Sequence, residues 1–385
     1  MTANSVSTKT RLIEIDFFRG LALLIIFWNH LVRYSGIGLP FEYGFSDAAN
    51  VFIFLSGYVS GLVYWKTYNA KGFKGTFFKA LKRSSQIYTA HILALASMLF
   101  LASIVPTLNH ADILHSFLHK FNQNRSEVIF QILTLRYFPP LFDILPLYIL
   151  LVFTIPFVIY LIKIDWKIVF IISLVLYCAT QIFPQLDFQT YYSSWSLNPP
   201  SWLFLFTTAM IMGIKNREGS LHVPIKKLYV ILAAVVLLYS FSDLKTIDRL
   251  FEFEGLKTGL SHLLFPYPFP LTNKKMMQPS IVIHFFILLY FILVLIPHLM
   301  NIIKSRFANP IVICGQHSLA LFSTDIVLNY LFLYLILAFK GARFYFYFFA
   351  ILGLIITILL GYILSNKKRR IKIGTPQPAA PAAMN

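Results

Sequence analysis

Charge is scarce in this sequence. Asp, Glu, Lys and Arg make up 12% of 385 residues, about half the share of a soluble domain. A water-soluble globule of this length needs more polar surface than that. A disordered chain is also excluded, because such chains are poor in aromatics and this one holds 39 Phe, 21 Tyr and 5 Trp. Acidic residues are scarcest, with 15 Asp+Glu against 33 Lys+Arg and a formal net charge of +18. The two cysteines, Cys178 and Cys314, lie in or beside apolar runs, so no disulfide framework is expected. There is no Gly-rich nucleotide loop, G-x-S-x-G elbow, H-E-x-x-H or CxxC pair, which excludes a cytosolic-type ATPase and a zinc protease. No internal repeat is visible, which argues against a transporter built from duplicated halves.

What the sequence does have is apolar length: 58% of it is hydrophobic. The runs are about 20 residues long, the length of a membrane-crossing helix rather than of a barrel strand. The expected fold is therefore all-α, a polytopic integral membrane bundle. Ten spans are expected, near residues 13–33, 47–65, 84–105, 142–162, 166–183, 200–214, 228–242, 280–300, 317–338 and 343–365. With the N-terminus inside, 21 Lys+Arg fall on inner segments and 11 on outer ones, with Arg19 inside the membrane. The excess of basic residues places both termini in the cytoplasm. The positive charge is thus an orientation signal and not a nucleic-acid footprint. Residues 1–366 are expected to form one transmembrane domain. Residues 367–385 form a cytoplasmic tail, basic at first and then Pro/Ala-rich and disordered.

Two long outer loops are expected, about 106–141 and 243–279. The first reads as partly helical, through Ile113, Phe117 and Phe121 and then Val128 to Leu135. The second carries Pro266, Pro268, Pro270 and Pro279, which oppose a continuous helix. Lys71 to Arg83 reads as a basic amphipathic stretch on the inner leaflet, with Phe73, Phe77 and Phe78 as its apolar side. His110, His115 and His119 share a rough face in the first outer loop, but no acidic or cysteine ligand joins them, and no metal is expected.

Ionisable groups inside a membrane are costly and are functional candidates by default. The first span is richest in them. At 100° and 1.5 Å per residue, Arg19 and His30 lie within roughly 20° of one another and about 16 Å apart along the axis. Asp16 and Arg33 fall on the same side, so one stripe of an apolar helix carries four ionisable groups. His30 suits general-base work, its unperturbed pKa being near 6.5. A satisfied interhelical histidine is the plainer reading, weakened by the rest of the stripe. In the second span, Ser46 can cap the helix and Asp47 then sits at its positive end. Asp47 and His30 are both expected near the outer surface, so a carboxylate–imidazole pair is open. Ser56, Gly57, Ser60 and Gly61 form a small-residue packing face that would bring spans 1 and 2 together. His91, Asp143, Asn198, His284, His317 and Asp325 are further buried polar candidates, each read first as structural.

The segments Glu14-Ile-Asp-Phe-Phe-Arg-Gly-Leu-Ala-Leu-Leu, then His30, then Gly44-Phe-Ser-Asp-Ala-Ala-Asn-Val-Phe-Ile-Phe-Leu-Ser-Gly resemble the OpgC family. Gln86-Ile-Tyr-Thr-Ala-His-Ile, Asp143-Ile-Leu-Pro-Leu-Tyr, Leu197-Asn-Pro-Pro-Ser-Trp-Leu-Phe and, more loosely, Gly315-Gln-His-Ser-Leu-Ala-Leu-Phe do so too. OpgC proteins are bacterial inner-membrane proteins implicated in succinylating osmoregulated periplasmic glucans. They resemble the wider acyltransferase-3 family, whose first span carries an Arg, ten residues, then His, the spacing of Arg19 and His30. The resemblance implies acyl transfer from a cytoplasmic acyl-CoA-type donor, succinyl-CoA, acting as co-substrate with no bound cofactor. The acceptor it implies is a hydroxyl of a periplasmic glucan. In that reading His30 is the base, Asp47 or Asp16 orients it, and Arg19 holds the anionic donor. Arg33, His91, Asp143, Trp202 and His317 complete the expected substrate-binding set. A glycan or acyl-carrier transporter would need the same buried charges but no base.

Overall fold

The structure is a computed structural model that describes residues 12–33, 44–104, 112–188, 195–242, 273–339 and 342–374. Its regular elements are helices: α1 (Ile13–Val32), α2 (Ala48–Ile104), α3 (Asp112–Gln123), α4 (Arg125–Leu133), α5 (Ile144–Ile164) and α6 (Trp166–Ile182). These are followed by α7 (Pro199–Arg217), α8 (Lys227–Ser242), α9 (Pro279–Ile303), α10 (Asn309–Gln316), α11 (Ser318–Ala338) and α12 (Arg343–Gly374). Among the described residues, six helices are long and apolar enough to cross a membrane: α1, α2, α5, α9, α11 and α12 as far as Lys367. Trp166–Ile182 and Lys227–Leu238 are apolar but shorter. Each expected span overlaps a helix over most of its length. The lower count arises because α2 holds two of those spans in one element, while α6, α7 and α8 are short or carry polar ends. The helices of the first outer loop appear where the pattern put them, as α3 and α4; most of the second, with His110 of the first, lies outside the described residues.

The 57 residues of α2 form two arms joined at Gly72, whose φ of 62° and ψ of −166° only glycine adopts readily. The arms fold back on each other: Lys79 Nζ donates to Thr67 Oγ1 at 2.6 Å. The stretch 71–83 is thus no separate surface helix but the opening of the second arm. Its Phe73 and Phe77 rings pack on Phe157 and Phe153 of α5. Gly72 has open space around it, so Gly72→Ala tests conformation alone. It is expected to lower stability by about 1–3 kcal/mol, seen as a lower Tm of the detergent-solubilised protein.

Backbones meet at two glycine contacts. A Cβ on Gly57 or Gly61 would lie 2.4 or 2.3 Å from the carbonyl oxygens of Phe206 and Met210 on α7, and one on Gly213 would lie 2.3 Å from that of Tyr58. The glycines of the small-residue face of α2 therefore pack on α7, which supplies the reciprocal glycine, while Ser56 and Ser60 of the same face line a cavity with Arg19 of α1. On α1, a Cβ at Gly20 would lie 1.9 Å from the Ile311 oxygen, and one at Gly315 would lie 1.8 Å from the Asp16 oxygen. The short helix α10, unforeseen as a separate element, is thus pressed against the N-terminal half of α1. Meanwhile Val175, Leu238, Leu359 and Ile363 stand exposed around the outside of α6, α8 and α12. Such an apolar exterior is what hydrocarbon, not water, would cover.

Candidate functional site

The polar groups of α1 lie in two centres at opposite ends of the helix. The one at the C-terminal end of α1, called the outer centre after the orientation expected from the sequence, is built from the last turn of α1, the start of α2, the start of α5 and the turn 273–278. Asp47 begins α2 by accepting hydrogen bonds from the N–H groups of Ala49 (2.9 Å) and Asn50 (3.3 Å), while its own N–H donates to Asn50 Oδ1 at 3.0 Å. Asp47 itself is the cap. Ser46, expected in that role, turns instead to His284, its Oγ lying 2.7 Å from Nδ1. Ser46 N–H also points at Nδ1 (3.3 Å), so that nitrogen is the acceptor, and the Nε2 proton faces Ser240 Oγ at 3.0 Å. His284 is therefore a structural histidine that ties the start of α2 to α8.

Asp47 also forms an ion pair with Lys274. Burial pushes the Asp47 carboxyl upward, but the Lys274 charge and hydrogen bond and the helix N–H groups outweigh it and hold it below its usual value. Lys274 acts electrostatically on His30 and Asp143 as well, and Arg33 and Asp47 act on His30. Asp143 stands one residue before α5; burial pushes its carboxyl up to about 6, against a hydrogen bond with Ser196 and the charge of Lys274. Lys274 is thus the hub of the outer centre, and sequence reasoning missed it.

Its position is fixed by the turn around it. Asn198 N–H and Trp202 Nε1–H both donate to the Lys275 carbonyl, at 2.9 and 3.2 Å. Gln181 Nε2 holds the Met276 carbonyl (2.9 Å), Tyr177 Oη holds that of Met277 (2.8 Å), and Lys275 pairs with Asp187. Trp202 is fully buried, so it shapes the site through this turn. Asn198 also links back through its side chain, accepting from Phe188 N–H at 3.1 Å and donating to Ser201 Oγ at 3.2 Å. The Asn-Pro-Pro-Ser-Trp run was the visible trace of this clamp, though nothing in it named Lys274.

The second centre, called inner on the same expectation, surrounds Arg19. Its Nη2 donates to Ser318 Oγ at 3.1 Å, and its guanidinium lies 5.9 Å from the Phe52 ring centre. His317 sits next to Ser318 at the α10–α11 junction. Arg19 helps line a cavity of about 310 Å³ whose other charged walls are Lys79, Lys82 and Arg83 from the second arm of α2, with Tyr64, Gln86 and Tyr148. Among the described residues, four basic side chains and no acidic one line it.

The expected residues therefore separate. His30, Arg33, Asp47 and Asp143 gather at the outer centre; Arg19, Asp16 and His317 lie at the inner end. Asp16 is fourteen residues from His30 on one helix, about 21 Å along the axis, so it does not touch the imidazole. His91 belongs to neither: it is fully buried against the edges of Phe138 and Phe142, and neither ring nitrogen has a hydrogen-bond partner among the described residues.

The family model described as OpgC protein matches residues 11–369, nearly the whole chain, and the chain belongs to that family. Membership implies an acyltransferase. No curated protein and no solved structure matches the chain.

Proposed function

We propose that this protein is an O-acyltransferase of the bacterial inner membrane. It moves a succinyl group from a cytoplasmic acyl-CoA-type donor to hydroxyls of a periplasmic glucan. With the ten crossings and cytoplasmic termini expected from the sequence, Lys79, Lys82 and Arg83 fall on the donor side and the Asp47–Lys274 pair on the acceptor side. The observation that carries the reading is on α1: Arg19 lines a basic cavity toward one end, and His30 stands among Asp47, Lys274 and Arg33 toward the other.

In this reading the four basic side chains bind the donor's phosphates, and the acyl-bearing arm extends along α1. His30 takes the proton of the glucan hydroxyl, whose oxygen attacks the thioester carbonyl. Positive charge from Lys274 and Arg33 stands where the tetrahedral oxygen turns negative, and Asp47 holds Lys274 in place. The C–S bond then breaks and the thiolate takes a proton. Lys274→Met is expected to slow acyl transfer by about 10- to 100-fold, the worth of one charge-assisted hydrogen bond at ~1.5–3 kcal/mol. Lys274→Arg should recover part of the rate; initial rates with purified variants decide this.

The experiment for the function as a whole is mass spectrometry of envelope glucans from cells with and without the protein. Loss of a succinyl increment with glucan export intact supports the enzyme. Unchanged esterification with glucan held inside supports a transporter and overturns the proposal.

A further inference from the structure

One buried acidic group takes no part in either centre. Asp325, in the middle of α11, is 4% exposed, and its neighbours Asn329 and Thr357 are fully buried. Thr357 Oγ1 donates to Asp325 Oδ1 at 2.5 Å. Asn329 Nδ2 donates to the Asp325 backbone oxygen at 2.9 Å. That bond fixes the amide, since flipping it would set two acceptor oxygens against each other. Two acceptors are left over: Asp325 Oδ2 and Asn329 Oδ1 have no hydrogen-bond partner among the described residues. They belong to residues four apart on one helix, which share a face.

We propose that Asp325, Asn329 and Thr357 form a proton-binding site inside the bundle. A bare carboxylate there would be a buried charge with one neutral donor, which low-dielectric surroundings strongly disfavour. A proton on Oδ2 removes the charge and turns that oxygen into a donor on the helix face that also carries the unfilled Asn329 Oδ1. Among the described residues, the surrounding helices supply no counter-charge. α12 offers the Thr357 hydroxyl, and α10 offers Cys314, the ionisable group within electrostatic reach. α2 meets α11 through Phe52 on Phe322. On α1, Arg19 is engaged two turns away at Ser318. His30 lies farther along, and no Lys or Arg among the described residues pairs with Asp325.

Its level in the bundle suggests a use, which rests on the acyl-transfer reading whereas the site itself does not. α1 and α11 run parallel, since Arg19 meets Ser318 and Phe27 meets Phe332. Asp325 lies about 10 Å along α11 from Ser318, and His30 lies about 16 Å along α1 from Arg19. Acyl transfer takes one proton from the acceptor hydroxyl at His30 and gives one to the leaving thiolate, which departs on the Arg19 side. Asp325 stands between those levels and would release its proton inward and be refilled from His30.

Infrared difference spectroscopy of the protein in bilayers, wild type against Asp325→Asn at neutral pH, tests the site. A carboxylic-acid C=O band present in wild type, absent from the variant and indifferent to exchange of Na⁺ for choline is expected. Carboxylate bands in its place, or a band that changes with Na⁺, overturn the proposal, the latter in favour of a metal cation site. Should Asp325→Asn not fold, Asn329→Leu must shift the acid band to higher frequency; an unmoved band also overturns the site. Acyl transfer separates the use from the site: Asp325→Asn is expected to slow it roughly 100-fold, and a wild-type rate removes the relay while the spectrum still judges the proton.

Discussion

His30→Gln is expected to lower acyl transfer by about 10²–10⁴-fold, the usual contribution of a positioned general base, at unchanged membrane level and Tm. The amide keeps roughly the size and polarity of the imidazole but cannot take a proton from the acceptor hydroxyl. The loss should fall on the chemical step. Donor affinity should stay within a few-fold, because Arg19 and the cavity of Lys79, Lys82 and Arg83 lie about 16 Å away along α1. Rates as a function of donor concentration, with the glucan saturating, check this. A variant that binds donor poorly but turns over normally would mean that His30 belongs to donor binding.

The second large effect concerns folding. Gly315→Leu would drive a side chain into the Asp16 backbone, where even a Cβ finds the carbonyl oxygen at 1.8 Å. The obstacle is main chain on both sides, so relief requires α1 and α10 to separate. That moves Arg19 away from Ser318 and opens the inner centre. Overpacking costs on the order of 1–3 kcal/mol and occasionally more, and a backbone obstacle belongs at the high end. Little folded protein should be recovered, and any that is should have lost donor affinity. Gly361→Ala is the contrast: its Cβ would meet the Ile313 Cγ2 methyl at 3.2 Å, which a small rotation can relieve. Its Tm should change far less. Equal loss in both variants would mean that the α1–α10 contact carries no special weight.

The α1 stripe was legible because a single helix and its period decide it; the expected span 13–33 and the helix Ile13–Val32 nearly coincide. The packing face at Gly57 and Gly61 was also legible, but its partner was not. Helical period says which residues share a face, not which helix comes to meet them, and the answer lay in Gly213. Lys274 could not be foreseen. It follows a proline-rich segment, and its place depends on carbonyls held from α6 and α7, about a hundred and about seventy residues away in the chain. Asp16 shows the opposite limit. It shares the stripe with His30, but distance along the axis, not angle, decides whether they can act together. Gly72 left no periodic signal either, since the helical pattern continues on both sides of a reversal made by one backbone conformation.

The proposed mechanism handles donor and acceptor at opposite ends of α1, and sidedness tests it most directly. In sealed vesicles of known orientation, acyl-CoA-type donor and glucan acceptor can each be confined to one side. Ester formation is expected only with donor on the face of Lys79, Lys82 and Arg83 and acceptor on the face of Asp47 and Lys274. Equal ester formation with both substrates on the same side would contradict the account.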